Sequence, residues 1–510
     1  MFSKTKKVFF FFLLIFITIK SWTQEDVFTI IDLMHQYNLD PQQASYSSEA
    51  QILTGLYEGL FSYDPYTLAP IPAIAQSYKV SRNKLRWTFY LREDAKFSNG
   101  ESITAQTIKD SWITLLNRKD APFVSLFDCI KGAYEYRTGK ISEENIGITV
   151  QDTYRIAITL NTPTEHLLNI LCHHPFVAVH PDKNVYSGPF VLESYENNVL
   201  NLVKNPNYYD KENVKLNKIK IIQSNDSKEN SHLFNIGKVD WILNNADIPT
   251  LIDHEKIKIS AEFATEYLFF KSDKFPWNQS GFRNALLAAT PWQELRSQAF
   301  VPAETFIYPI KDYTSPAGLN DYDLEEAKLL LQEAKQNAGL KDSDKIEISI
   351  AITDSQYMTT IANLLKNSWE QLDVSVEINK TTDSKYIQLI KDSDADLFHF
   401  TWIGDFADPL AFLELFRSDS TINESMWKNE QYNQLLKEAA IYTGTDRLKL
   451  LSQAEDILLS EGVIIPISHP VTLNVIDTNI VKGWYTNPLD IHPFKHLLKQ
   501  KEEIFIPNLI

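Results

Sequence analysis

The sequence predicts a mixed α/β protein folded as two or three lobes. Its 510 residues are too many for a single core. From residue 324 onward, apolar stripes at helical spacing alternate with short apolar runs, the mark of an α/β lobe. The composition (44% hydrophobic, 12% aromatic, 23% charged) is that of an ordinary globular protein, with no sign of disorder, collagen or a polytopic membrane protein.

Taken in order, residues 26–32 read as an opening strand and LDPQQ (39–43) as a turn. Over 47–60, Ala50, Ile52, Leu53, Leu56, Tyr57 and Leu60 form one apolar stripe, so this stretch reads as a helix, capped by Ser47 or Ser48 and with Gly59 near its end. A Pro-rich crossing (65–75) leads into two strands around LRWTFYL (85–91). Asn99-Gly100 marks a tight turn, and Thr104 caps a helix bearing Ile108, Trp112 and Leu115. Strands follow over 146–160, then a hairpin over 187–210 turning at 196–198, a strand at 218–222, a short helix at 227–237 and a strand at 239–243. The texture changes from Glu266. YLFFKSD is a strand, 281–290 and 324–338 are helices, and strands at 346–352, 374–378 and 396–402 alternate with helices at 358–372 and 384–391. A helical region (431–459), the strand GVIIPIS (462–468) and an extended tail complete the chain.

The net charge of −17 argues against nucleic acid, which needs a basic surface, and suits cationic or zwitterionic ligands. At the N-terminus, Lys4, Lys6 and Lys7 precede an apolar run over 8–19, followed by Lys20, Ser21, Trp22 and Thr23. This reads as a secretory signal over 1–23; an uncleaved anchor is the competing reading, and no cysteine follows to carry a lipid. Cys129 and Cys172 are the two cysteines, and either one disulfide or two buried thiols suits them.

The run DADLFHFTWIGDFADP (394–409) sets Asp405 behind a dense apolar and aromatic stretch, beside Trp402 and Phe406. Such a place can hold a cationic group against an apolar wall; by itself the pattern favours a turn or capping acid before Pro409. Asp405 and Asp408 could also serve a secreted hydrolase, but i and i+3 in a turn do not aim both carboxylates at one point. No Gly-x-Ser-x-Gly, His-Glu-x-x-His or phosphate-binding glycine loop is present. Cys172, His173, His174 and His180 form the most metal-like cluster and are read as structural, so neither a metal nor any other cofactor is expected.

Taken together, several segments carry a resemblance: LDPQQ, GLYEGLFSYDP (55–65), WTFYLREDAKFSNGESITAQTIKDSW (87–112), SGPFVLESY (187–195), LVKNPNYYD (202–210), GFRNALLAA (281–289) and GVIIPIS. In that order and spacing the chain resembles the periplasmic dipeptide- and oligopeptide-binding proteins of ABC importers, from about residue 39 to about 490. The resemblance implies a two-lobed clam with a third domain. Lobe I would be discontinuous (24–60, 184–265 and 483–510), the extra domain would span 61–183 and the opposing lobe 266–482. It implies a monomer that captures short peptides, closes on them and delivers them to membrane permease subunits. Asp405 falls where the family's WxxDYNEP motif places the acid that pairs with the peptide's α-ammonium. Trp402, Phe406 and Phe123 would wall side-chain pockets, and the backbone at Ser47, Ser48 and Glu49 would pair with the peptide. Ile403 stands where the family has a cysteine, with Thr265 as its partner position, so that disulfide is absent. His399 replaces an arginine that can meet the peptide carboxylate, which leaves peptide length open. Relatives of the same fold also bind cell-wall peptides, metal chelates or haem, the alternative ligands for this cleft.

Overall fold

The computed structural model describes residues 27–44, 47–310, 312–404, 406 and 408–500, with the backbone alone at 47, 383–385 and 387. The signal expected at 1–23 lies outside these residues, and so does Asp405. No helix among the described residues is long and apolar enough to cross a membrane.

The first sheet has seven strands, in the order Ile257–Ala261, Val471–Ile476, Trp241–Leu243, Val27–Asp32, Lys218–Gln223, Val199–Lys204, Phe190–Glu196. Val27–Asp32 lies parallel to both neighbours and is covered on both faces: Phe28 and Ile30 join one apolar cluster and Ile31 another. That double burial is why the opening run is almost continuously apolar. At the far edge the hairpin turns through Asn197 and Asn198, both at positive φ (51° and 61°), the twist a two-residue hairpin requires.

A four-stranded antiparallel sheet orders Ala75–Val80, Arg86–Leu91, Arg155–Thr159 and Ile148–Asp152. Helix Ala105–Asn117 packs on it and starts at a capping box in which Thr104 and Thr107 exchange side-chain and backbone hydrogen bonds. The five-stranded sheet orders Val374–Thr381, Ile346–Thr353, Leu397–Ile403, Ala264–Phe270 and Ile464–Ser468. Its first three strands run parallel, joined by helices Gln356–Trp369 and Asp383–Asp392, as the alternating pattern requires.

Four expectations are corrected. The first helix runs Ser47–Leu56 and stops short of residue 60, because the carbonyls of Leu56, Glu58, Gly59 and Leu60 accept hydrogen bonds from Gly188, Ala178, Ile74 and Ala73 instead of continuing the spiral. The helical region 431–459 is two helices, Glu430–Ala439 and Gly444–Ser460, broken where Gly444 takes φ +60°. The tail contains a strand, Val471–Ile476, which sits inside the seven-stranded sheet between Ile257–Ala261 and Trp241–Leu243. The chain therefore returns to the first sheet before residue 471, and not at 483 as the lobe boundary assumed. Finally, Ile403 faces Ala264 across the ladder, and Thr265 faces Trp402. A one-residue offset turns a strand side chain to the opposite face, so Ala264 is the position opposite Ile403.

Two chain crossings join the seven-stranded and five-stranded sheets side by side. One passes through Glu262 and Phe263, the other through His469 and Pro470, and Glu262 N–H donates to the Pro470 carbonyl at 3.0 Å.

Candidate functional site

A cavity of about 500 Å³ lies between helix Ser47–Leu56, the segments around Phe123 and His173, and the five-stranded sheet. Ala50, Leu53 and Thr54 reach it from helix Ser47–Leu56, and Tyr57 from the residue that follows it. These positions follow the i, i+3, i+4, i+7 repeat, so one helical face lines the cavity. Phe123 and His173 contribute from the side of the four-stranded sheet, and His399, Trp402 and Ile403 from strand Leu397–Ile403.

Among the described residues, that strand offers the cavity an open backbone edge. Gly404 N–H donates to Phe263 O at 2.8 Å. Bonded residues alternate along an antiparallel ladder, so Phe400, Trp402 and Gly404 turn their peptide groups toward strand Ala264–Phe270. The peptide groups of Thr401 and Ile403 point the other way. On that other side, strand Ile346–Thr353 pairs only with Leu397 and Phe398 before diverging. His399 N–H is taken up by the Tyr386 hydroxyl at 2.8 Å, while the N–H and C=O groups of Thr401 and Ile403 find no partner among the described residues. A row of unpaired peptide groups at an edge is a template for another extended chain.

The side chains around this edge are mostly occupied. Trp402 Nε1 donates to Ala411 O at 2.8 Å, which fixes the indole; Phe123 comes within 6.1 Å of it from the opposite side of the cavity. His399 Nε2 lies 3.0 Å from Glu266 Oε1. Burial pushes the Glu266 carboxyl up, but His399, Ser468 and Tyr357 outweigh this and hold it below the usual carboxylate range. His399 is thus already matched with an internal acid.

Other expected site residues lie elsewhere. Phe406 is 1% exposed and stacked on His166 at 5.2 Å, a packing role away from the cavity wall. Ser48 Oγ meets His35 Nε2 at 3.1 Å, and the buried Glu49 accepts Asn38 N–H at 2.5 Å; neither lines the cavity, because their helical positions face away from the Ala50–Tyr57 stripe. Asp408 is gripped by Arg447 at 2.6 and 2.9 Å. Burial raises its carboxyl, but Arg447 overcomes this and holds it below the usual range, which suits a structural anion and not a general acid.

Cys129 and Cys172 are free thiols, and burial pushes the Cys129 thiol up to about 12. Cys172, His174 and His180 turn to separate partners (Leu168 O, Pro41 O and Glu101), and among the described residues no group of three or more His, Cys, Asp or Glu converges. The reading of the sequence took the stripe of helix Ser47–Leu56 only as a sign of a helix and missed its cavity face, and it missed Glu424, an acid in an irregular segment with no pattern to mark it.

The family model described as bacterial extracellular solute-binding proteins, family 5, matches residues 69–424. The oligopeptide-binding protein OppA of Bacillus subtilis is 25% identical over 477 residues, 87% of each chain. The dipeptide-binding protein DppE of the same organism is 28% identical over 436 residues, 78% of each chain. Among solved structures, the murein tripeptide binding protein MppA of Escherichia coli superposes with a TM-score of 0.82 at 23% identity, over 94% of this chain and 99% of that one. The arrangement of sheets is that of periplasmic solute-binding proteins, two lobes with an additional domain.

Proposed function

The chain belongs to the bacterial extracellular solute-binding proteins of family 5, and on that premise we propose that it captures short peptides outside the cytoplasm and hands them to the permease of an ABC importer. The observation that carries the reading is the open backbone edge at Thr401 and Ile403, facing a cavity of about 500 Å³. Backbone pairing to such an edge does not read side chains, so one site accepts many peptides. The relatives named for oligopeptides and dipeptides support the same ligand class.

In this reading Asp405, two residues beyond Ile403, receives the peptide's α-ammonium. The first lobe comprises 27–60, 184–261 and 471–500, the additional domain 61–183, and the opposing lobe 264–468. The two adjacent crossings at 262–263 and 469–470 are the hinge about which the lobes close. The protein acts as a monomer, exported by its N-terminal segment.

Calorimetry with free and N-acetylated tripeptides tests this. The free peptide should bind and the acetylated one should lose affinity, and Asp405→Asn should weaken the free peptide by about 2 kcal/mol or more. Unchanged affinity on acetylation and in the variant would defeat the ammonium assignment. Mass spectrometry of the ligand that co-purifies with the protein would separate general peptides from cell-wall peptides and from non-peptide solutes.

A further inference from the structure

Among the described residues, six glutamate, lysine or histidine side chains line the cavity: Glu58, His173, His174, Lys391, His399 and Glu424. Glu58 is matched by Lys495 at 2.7 Å and by the Tyr208 hydroxyl. His174 Nδ1 meets the Pro41 carbonyl at 2.6 Å, and His399 meets Glu266. Lys391 is exposed to solvent. Glu424 differs from the rest: it is half-buried, it is anionic, and its carboxylate makes no ion pair or hydrogen bond with any described residue.

The backbone that carries Glu424 is pinned. Its N–H donates to Ile422 O at 3.0 Å, and the next carbonyl, of Ser425, accepts Ser272 N–H at 2.7 Å. The Asn423 side chain donates to the carbonyls of Arg417 and Trp427 at 3.2 and 3.0 Å. The carboxylate is therefore carried on a fixed backbone, in a cavity whose lining also includes Tyr267, Phe269, Phe416 and Ile422. Burial raises the Tyr267 phenol, and the Glu424 charge raises it further, which puts the two groups within electrostatic reach. A lone carboxylate against apolar and aromatic walls is costly, and a cation entering the cavity offsets that cost. Tyrosine and phenylalanine faces add attraction for the same charge.

Resting on the peptide reading above, we propose that Glu424 forms a second cation subsite, which selects peptides carrying a lysine- or arginine-like side chain. Tyr267 is four residues along its strand from Phe263, the residue that holds Gly404 next to the ammonium end. At about 3.4 Å per residue that is roughly 13 Å, so the basic side chain belongs several residues from the amino end of an extended peptide.

The test uses tetrapeptides in which lysine, norleucine or glutamate is placed in turn at the second, third and fourth positions, titrated calorimetrically into the intact protein. At one position lysine should bind about tenfold more tightly than norleucine, the worth of one charge-assisted hydrogen bond, and glutamate more weakly than both. Glu424→Gln should abolish the advantage of lysine over norleucine. Equal affinity for lysine and norleucine at all positions, or an advantage that survives Glu424→Gln, would overturn the subsite while leaving peptide capture standing. Failure of every peptide to bind would overturn both. The comparison among peptides needs only the wild-type chain, so the subsite remains falsifiable even if the variant does not fold.

Discussion

The seam beside the cavity, its rim, differs from the cavity interior in how far polar groups are matched. At this rim the arginines Arg417 and Arg447 are both matched by acids among the described residues. Arg417 reaches across to Asp128 at 3.1 Å while also holding Glu414 and Asp419, and Asp128 is held a second time by Arg137. Arg447 grips Asp408 and comes within 3.4 Å of His166 Nδ1, on the far side of the same seam. In the interior, the peptide groups of Thr401 and Ile403 and the carboxylate of Glu424 face the cavity with no partner among the described residues. Buried polar groups are normally satisfied, so a region that leaves several open is suited to a guest that supplies the missing donors and acceptors. The rim holds the walls together; the interior chooses what they enclose.

Breaking the rim should have the largest effect on stability. Arg447→Ala leaves Asp408 buried without its cation, and the thermal transition should fall by the equivalent of about 3 kcal/mol. A drop no larger than that of an exposed-lysine control would show that the pair adds nothing. The interior should respond mainly through affinity. A tripeptide N-methylated at an amide that pairs with the open edge should bind about 1 kcal/mol more weakly than its parent, with protein stability untouched. Equal binding of all N-methylated variants would mean that the edge at Thr401 and Ile403 is not used.

The crossings between the sheets should show themselves through pH. Burial, reinforced by Asp490, pushes the Glu262 carboxyl up to about 8, from an ordinary 4.5. The folded protein therefore keeps a proton that the unfolded chain releases over that interval. This contribution to stability is complete below pH 4.5 and is lost as pH rises toward 8. Thermal melts across this range should fall less steeply in Glu262→Gln than in the wild type. Asp408 works in the other sense: held below 3.8, it contributes stability above that value, which is lost as the solution is acidified through its folded-state pKa.

Much of the fold was legible in the sequence, because helix and strand periodicities are local. Thr104 marked its helix start, Asn99-Gly100 its turn, and the alternation after residue 324 its parallel strands. The strand Val471–Ile476 was not legible: it is placed by two distant neighbours, Trp241–Leu243 and Ile257–Ala261, and nothing next to it in the chain announces them. Trp402, His399, Ile403 and Phe123 could be picked out as site candidates and do line the cavity, whereas Phe406, chosen with them, turns away into a contact of its own.

By itself the sequence determined the element types, the family and the strand that borders the site, since these depend on residues near one another or on their order. The tertiary structure alone decided which charges are spent. Asp408 and Glu424 are both acids in irregular segments after the same strand, alike on paper. Helix Gly444–Ser460 brings Arg447 to the first, and no cation reaches the second among the described residues. A charge is neutralised by what folds against it, and that partner lies 39 residues away in the chain for Asp408.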